Sequence, residues 1–136
     1  MDRYTSHQFF KVLLCIGFVL LSTIGHAQRF YNHSGQLVIS VSGQTYYDNS
    51  GSIIARYRNN TFFGSDGRQI ANISSDALYK SGNRIGYIRN RRIYNNNGNQ
   101  IGRYRGGKLY NESGQQIGRI DGNFESEFIL FIYFLK

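Results

Sequence analysis

The chain has 136 residues, with sixteen Lys or Arg against eight Asp or Glu, a formal charge of +8. It holds one Cys, one Met, three His and neither Pro nor Trp, and of these only His33 lies beyond residue 27. Disulfide scaffolds, thiol nucleophiles, Cys-ligated metals and any site needing two His are thereby excluded from that remainder, and no cofactor or metal site is expected.

The first segment reads as an export leader. A basic start ending at Lys11 precedes an almost uninterrupted apolar run from Val12 to Ile24, and Gly25 and Ala27 are the small residues of a cleavage site. The run is shorter than the ~17–25 apolar residues of a spanning helix. Residues 1–27 are thus expected to form a signal helix cut between Ala27 and Gln28, leaving 28–136 as one exported domain of the periplasm, outer surface or medium. Cys15 has no small residue before it and no apolar segment upstream, so it reads as part of the leader.

From Phe30 onward the chain repeats about every 16 residues, in copies starting near 30, 46, 62, 78, 93 and 109. Each copy opens on Phe30-Tyr31, Tyr46-Tyr47, Phe62-Phe63, Leu78-Tyr79, Ile93-Tyr94 or Leu109-Tyr110, followed by a polar stretch ending in Gly35, Gly51, Gly67, Gly82, Gly98 or Gly114. Three residues on comes Val38 or an Ile, then a small residue in five copies: Ala55, Ala71, Gly86, Gly102 and Gly118. The fourth copy is one residue short, at Lys80-Ser81-Gly82.

The polar stretches read as hairpin loops in which Gly takes positive φ, and pairs such as Asn59-Asn60 and Gly106-Gly107 read as tight two-residue turns between copies. The predicted fold is all-β: about a dozen strands of four to six residues, with no helix after the leader. In Ile101-Gly102-Arg103-Tyr104, strict alternation places Ile and Arg on one face and Gly and Tyr on the other. A small residue in every copy suggests strands converging on a crowded axis, as in a radial set of hairpins or a tightly curved closed sheet.

The segment 128–135, Phe128 to Leu135, is eight consecutive apolar residues. Exposed, it would promote aggregation. It is expected as a buried final strand filling the axis, in preference to membrane contact or association with another chain.

The unit Tyr-x-x-x-Gly-x-x-Ile-Gly/Ala, repeated behind a signal peptide and ahead of an aromatic-rich tail, resembles the bacterial five-fold β-flower proteins from Phe30 to the C-terminus. The resemblance implies short hairpins arranged as petals around a pseudo-symmetry axis, in exported proteins. The chain departs from it in having six copies and in Ile39 standing where the other copies have a small residue; the first and last segments completing one petal together is one resolution. Tyr46 to Gly51 is also similar, less closely, to the YD repeats of large bacterial surface proteins.

Catalysis finds little support in the inventory. His33, Asp48, Asp66 and Glu112 fall in hairpin loops, where such side chains cap the local backbone, and no nucleophile elbow, phosphate loop or metal spacing occurs. The chain is expected not to be an enzyme. The basic residues are more informative, since Arg56, Arg103 and Arg119 occupy one equivalent position of the repeat, with Tyr57 and Tyr104 next to two of them. A rotation relating the copies would set these arginines in a ring or stripe on one rim, with Arg91, Arg92 and Lys108 nearby. The expected function is an exported structural or interaction module of the envelope or exterior. The alternative is a lectin-like binder of neutral or anionic glycans using Arg56, Tyr57, Arg103, Tyr104 and Arg119. Export argues against nucleic acid as the partner.

Overall fold

The computed structural model describes residues 27–136. The reading of residues 1–27 as a signal helix lies outside the described residues, except for Ala27 at its edge. The strands are β1 (Gln28–Asn32), β2 (Leu37–Ser42), β3 (Thr45–Asp48), β4 (Ile53–Arg58), β5 (Thr61–Gly64), β6 (Gln69–Ser74), β7 (Ala77–Lys80), β8 (Asn83–Arg89), β9 (Arg92–Asn95), β10 (Gln100–Arg105), β11 (Lys108–Asn111) and β12 (Gln116–Asp121). Each pairs antiparallel with its sequence neighbours, and β1 pairs with β12, so the twelve strands close into a barrel.

Local sequence sets the two ends of this barrel. At one end, the loops 32–36, 48–52, 95–99 and 111–115 are built alike. In the first, Asn32 Oδ1 accepts the amides of Ser34 and Gln36, each at 3.0 Å, and Gly35 takes φ +81°. Asp48, Asn95 and Asn111 do the same in their copies. At the other end the turns are of two residues, with both in the left-handed region at Asn59-Asn60 (φ 51°, 59°), Ser75-Asp76 (51°, 60°), Asn90-Arg91 (50°, 60°) and Gly106-Gly107 (58°, 79°). That geometry matches the twist of the flanking strands. The shortened fourth copy uses the same device, with Ser81 at 52° and Gly82 at 80°.

The repeated Ile or Val is where strict alternation breaks. In all six copies the register slips by one beside the opening pair, and the unpaired residue is Val38, Ile54, Ile70, Ile85, Ile101 or Ile117. Each packs against the core. A β-bulge leaves one residue out of the ladder and re-aims its side chain, so these residues do not share the arginines' outward face, contrary to the alternation expected from sequence. The first residue of each opening pair (Phe30, Tyr46, Phe62, Leu78, Ile93, Leu109) is buried. The second lies half-buried on the outer wall.

The expected all-β architecture is present in the twelve-strand barrel, but the final strand expected over 128–135, and the absence of any helix after the leader, are corrected by a helix, α1 (Ser126–Phe134), whose Phe128 to Ile132 are buried. The reason is the closure itself. With β1 joined to β12 no sheet edge is open to a thirteenth strand, and a segment in an apolar interior must satisfy its backbone N–H and C=O groups internally, which a helix does. Eight strands already leave an interior that side chains fill, so twelve leave a wider lumen. A helix about 10 Å across fits that lumen.

The small residues make the room. A Cβ at Gly86 would collide with the ring of Phe134, and one at Gly102 would stand 2.5 Å from the ring and hydroxyl of Tyr133. Tyr133 in turn donates its hydroxyl to the Tyr110 carbonyl at 2.6 Å, anchoring the end of α1 to β11. The crowded axis read from sequence is therefore present, and a helix occupies it.

Candidate anion-binding surface

Two side chains per copy point outward from the longer strand of each pair. They are Ser40 and Ser42 on β2, Arg56 and Arg58 on β4, Asn72 and Ser74 on β6, Tyr87 and Arg89 on β8, Arg103 and Arg105 on β10, and Arg119 and Asp121 on β12. Opposite the first of each stands the outward aromatic of the neighbouring strand: Tyr47, Phe63, Tyr79, Tyr94, Tyr110 and Tyr31. The outer wall thus carries a girdle of seven aromatics, these six and Tyr87, which stacks on Tyr94, with the arginines set against it.

The densest charge lies across β8 to β11. Arg89 pairs with Arg92, Arg92 with Arg103, and Arg105 with Lys108. Arg91, in the tight turn at φ +60°, leans over the barrel end, 5.1 Å from the ring of Phe124 and 5.6 Å from that of Tyr104. Together Arg91, Arg92, Arg103 and Arg105 line an open groove of about 480 Å³. Among the described residues the ion pairs are Arg68 with Asp66 and Arg119 with Asp121, so none of these cations is neutralised by a carboxylate. Several like charges on adjacent strands raise the local potential and disfavour leaving the site without a counter-ion.

Stacking holds the arginines against the wall. Arg103 sits 4.8 Å from the centre of the Tyr110 ring and Arg119 4.1 Å from that of Tyr31. A guanidinium stacked on an aromatic face keeps its N–H edge free for a carboxylate, sulfate or phosphate.

The residues singled out from sequence are divided by this geometry. Arg56, Arg103 and Arg119 are exposed on the outer wall, but they do not form one stripe, because β4 lies six strands from β10 in the ring. Tyr57 and Tyr104 point the other way. Tyr57 packs on Phe62 with ring centres 4.6 Å apart and does not join the arginines, whereas Tyr104 packs on Phe124 at 5.0 Å, lies under Arg91 and edges the β10 groove. Arg91, Arg92 and Lys108 do join the β10 arginine. The outward aromatics are found in the sequence by the alternation within each opening pair, first residue in and second out.

The loop end offers binding of its own backbone and little else. Asp48 is held below the usual carboxylate range, chiefly by the Ser50 hydroxyl and then by backbone amides. Asp66 accepts the Arg68 amide at 3.0 Å, and His33 is exposed beside Ser34. At the opposite end the mouth of the barrel is acidic. The half-buried Glu127 carboxyl is raised by burial first, then by Glu125 and Asp76, and Ser126 donates to Asp76 at 3.0 Å. Among the described residues no three His, Cys, Asp or Glu are grouped to hold a metal ion. What this surface offers chemically is a set of exposed guanidinium donors of the kind that hydrogen-bond carboxylate, sulfate or phosphate oxygens.

A family model described as 5-fold beta-flower protein matches residues 21–136. No curated protein and no solved structure matches the chain.

Proposed function

Because the chain belongs to the 5-fold beta-flower family, we propose that it is a non-catalytic interaction module, exported to the envelope or exterior, whose outer wall engages an anionic polysaccharide. The observation carrying this reading is the run Arg89, Arg92, Arg103, Arg105 and Lys108 on adjacent strands, with none of these side chains paired to a carboxylate among the described residues. The apolar stretch and small-residue exit before Gln28 support export, and export favours acidic glycans over nucleic acid. A filled barrel suits such a role, since it presents charge on a surface that does not collapse.

The test is retention of the purified protein on immobilised heparin and alginate, with duplex DNA and anionic lipid vesicles as competing arms. Retention on the polysaccharides that falls with salt, and that Arg92→Gln/Arg103→Gln/Arg105→Gln largely abolishes, supports the reading. Tighter binding to DNA or vesicles than to either polysaccharide overturns it, as does retention equal in variant and parent.

A further inference from the structure

We infer that the barrel carries a second anion site on β4, equivalent by repeat to the one on β10, and that the protein is therefore bivalent and bridges two polyanion chains. The inference rests on the function proposed above and extends it to a wall that the run across β8 to β11 does not reach.

Among the six longer strands only β4 and β10 bear Arg at both outward positions. Residues two apart on a strand face the same way, about 6.6 Å apart, so Arg56 and Arg58 form the same guanidinium pair as Arg103 and Arg105. The β4 pair also lines an open groove, of about 230 Å³, together with Phe63. Phe63 stands where Tyr110 stands beside β10, and Arg58 lies 5.4 Å from its ring centre.

The ring order makes these two sites opposed. β4 and β10 are six strands apart in a closed ring of twelve, half a turn either way. The wall between them is interrupted on both sides: Asn72 and Ser74 face out from β6, Ser40 and Ser42 from β2, and Arg119 is held by Asp121 on β12. With strands about 4.8 Å apart the barrel is about 20 Å across, and α1 fills its centre. One extended chain lying on the wall of β10 runs away from the wall of β4, so occupancy of both grooves brings two chains to one protein.

The sites differ in strength. Arg103 and Arg105 have Arg92 and Lys108 as cross-strand neighbours, whereas Arg56 and Arg58 have Thr45 and Thr61. The β10 groove is therefore the tighter, and the β4 groove empties at lower salt.

Titration calorimetry with a heparin-derived hexasaccharide reads the number of sites. The expected result is two hexasaccharides per chain, one for Arg56→Gln/Arg58→Gln with the tighter site retained, and one weak site for Arg103→Gln/Arg105→Gln. Long heparin should give a light-scattering maximum at an intermediate ratio for the parent, lost in both variants. A single hexasaccharide per chain, unchanged by Arg56→Gln/Arg58→Gln and lost with Arg103→Gln/Arg105→Gln, overturns bivalency and leaves the proposed function standing. Absence of hexasaccharide binding by the parent overturns both. Matching far-UV circular dichroism of the variants excludes misfolding as the source of either loss.

Discussion

Gly102 on β10 lies flat against Tyr133 of α1, so close that a Cβ would stand 2.5 Å from the ring and the hydroxyl. Gly102 is outside the left-handed region, which makes the requirement one of space and not of backbone freedom. Gly102→Ala should therefore destabilise by about 1–3 kcal/mol through overpacking, measured by denaturant unfolding. Tyr133→Leu in the same chain should recover part of that loss, since residues in contact are not additive. At Gly118 the obstruction includes the Tyr31 carbonyl of the paired strand. Gly118→Ala should cost more, with no side-chain change able to relieve it. Equal and additive costs at both positions would contradict the assigned contacts.

The helix also dominates the interior. Phe128, Ile129, Leu130 and Ile132 are at most 1 % exposed, and from Phe128 onward α1 is apolar around its circumference, as a helix enclosed on all sides must be. Leu130→Ala is expected to cost about 2–5 kcal/mol, the range for a large-to-small change in a packed core. Its outer wall is untouched, so heparin retention at low temperature should stay at the parental level. A loss below 1 kcal/mol would place α1 outside the barrel.

Glu127 sits at the mouth of the barrel, where Glu125 and Asp76 are the charged neighbours and Tyr57 and Tyr46 are the neutral titratable ones. Its pKa is raised above the ordinary 4.5, so the folded protein holds that proton more tightly than the unfolded chain. The stability from this group is complete below 4.5 and is lost as pH rises through the folded-state value. Glu127→Gln should therefore melt higher than the parent at pH 7, with the difference shrinking on acidification and vanishing below the usual carboxylate pKa. A difference independent of pH would assign the effect to something other than ionisation.

The loops offer an internal comparison. Asn111 Oδ1 accepts two backbone amides at 3.0 Å, and Asp48 does the same in the second copy. Asn111→Ala should cost about 0.5–1.5 kcal/mol, while Asn111→Asp should be close to neutral in unfolding experiments. If Asp destabilises as much as Ala, the cap is not what that position supplies.

Much of this architecture is readable in the residues, and the exceptions have physical causes. The turns follow from Gly35 and its equivalents and from pairs such as Asn59-Asn60, because positive φ is a local property. The small residues announced a crowded axis, yet nothing local says what crowds it. Phe128 to Leu135 reads equally as strand or helix, because an unbroken apolar run has no period, and only the pairing of β1 with β12 removes the edge a strand would need. Ile101 was set beside Arg103 because alternation was carried through a bulge, which is a property of the pair of strands. The arginines were found by their repeat position, but their division between two opposed walls depends on the count of strands in the ring.

Arg91 separates stability from binding at one residue. It takes φ +60° in the tight turn between β9 and β8, a conformation that costs a non-glycine residue about 1–2 kcal/mol. The Asn-Gly pair is the favoured sequence for such a turn, and here the second position is held by a cation that reaches over Phe124 and lines the β10 groove. Arg91→Gly should raise the melting temperature by relieving the backbone, less whatever the stacking on Phe124 contributes, while lowering the salt concentration at which the protein leaves heparin. Arg91→Lys keeps the charge and the strain and should leave stability near the parental level, with elution between parent and glycine variant. A glycine variant that is both more stable and equally retained would show that this guanidinium takes no part in anion binding, and would confine the site to Arg92, Arg103 and Arg105 on the wall.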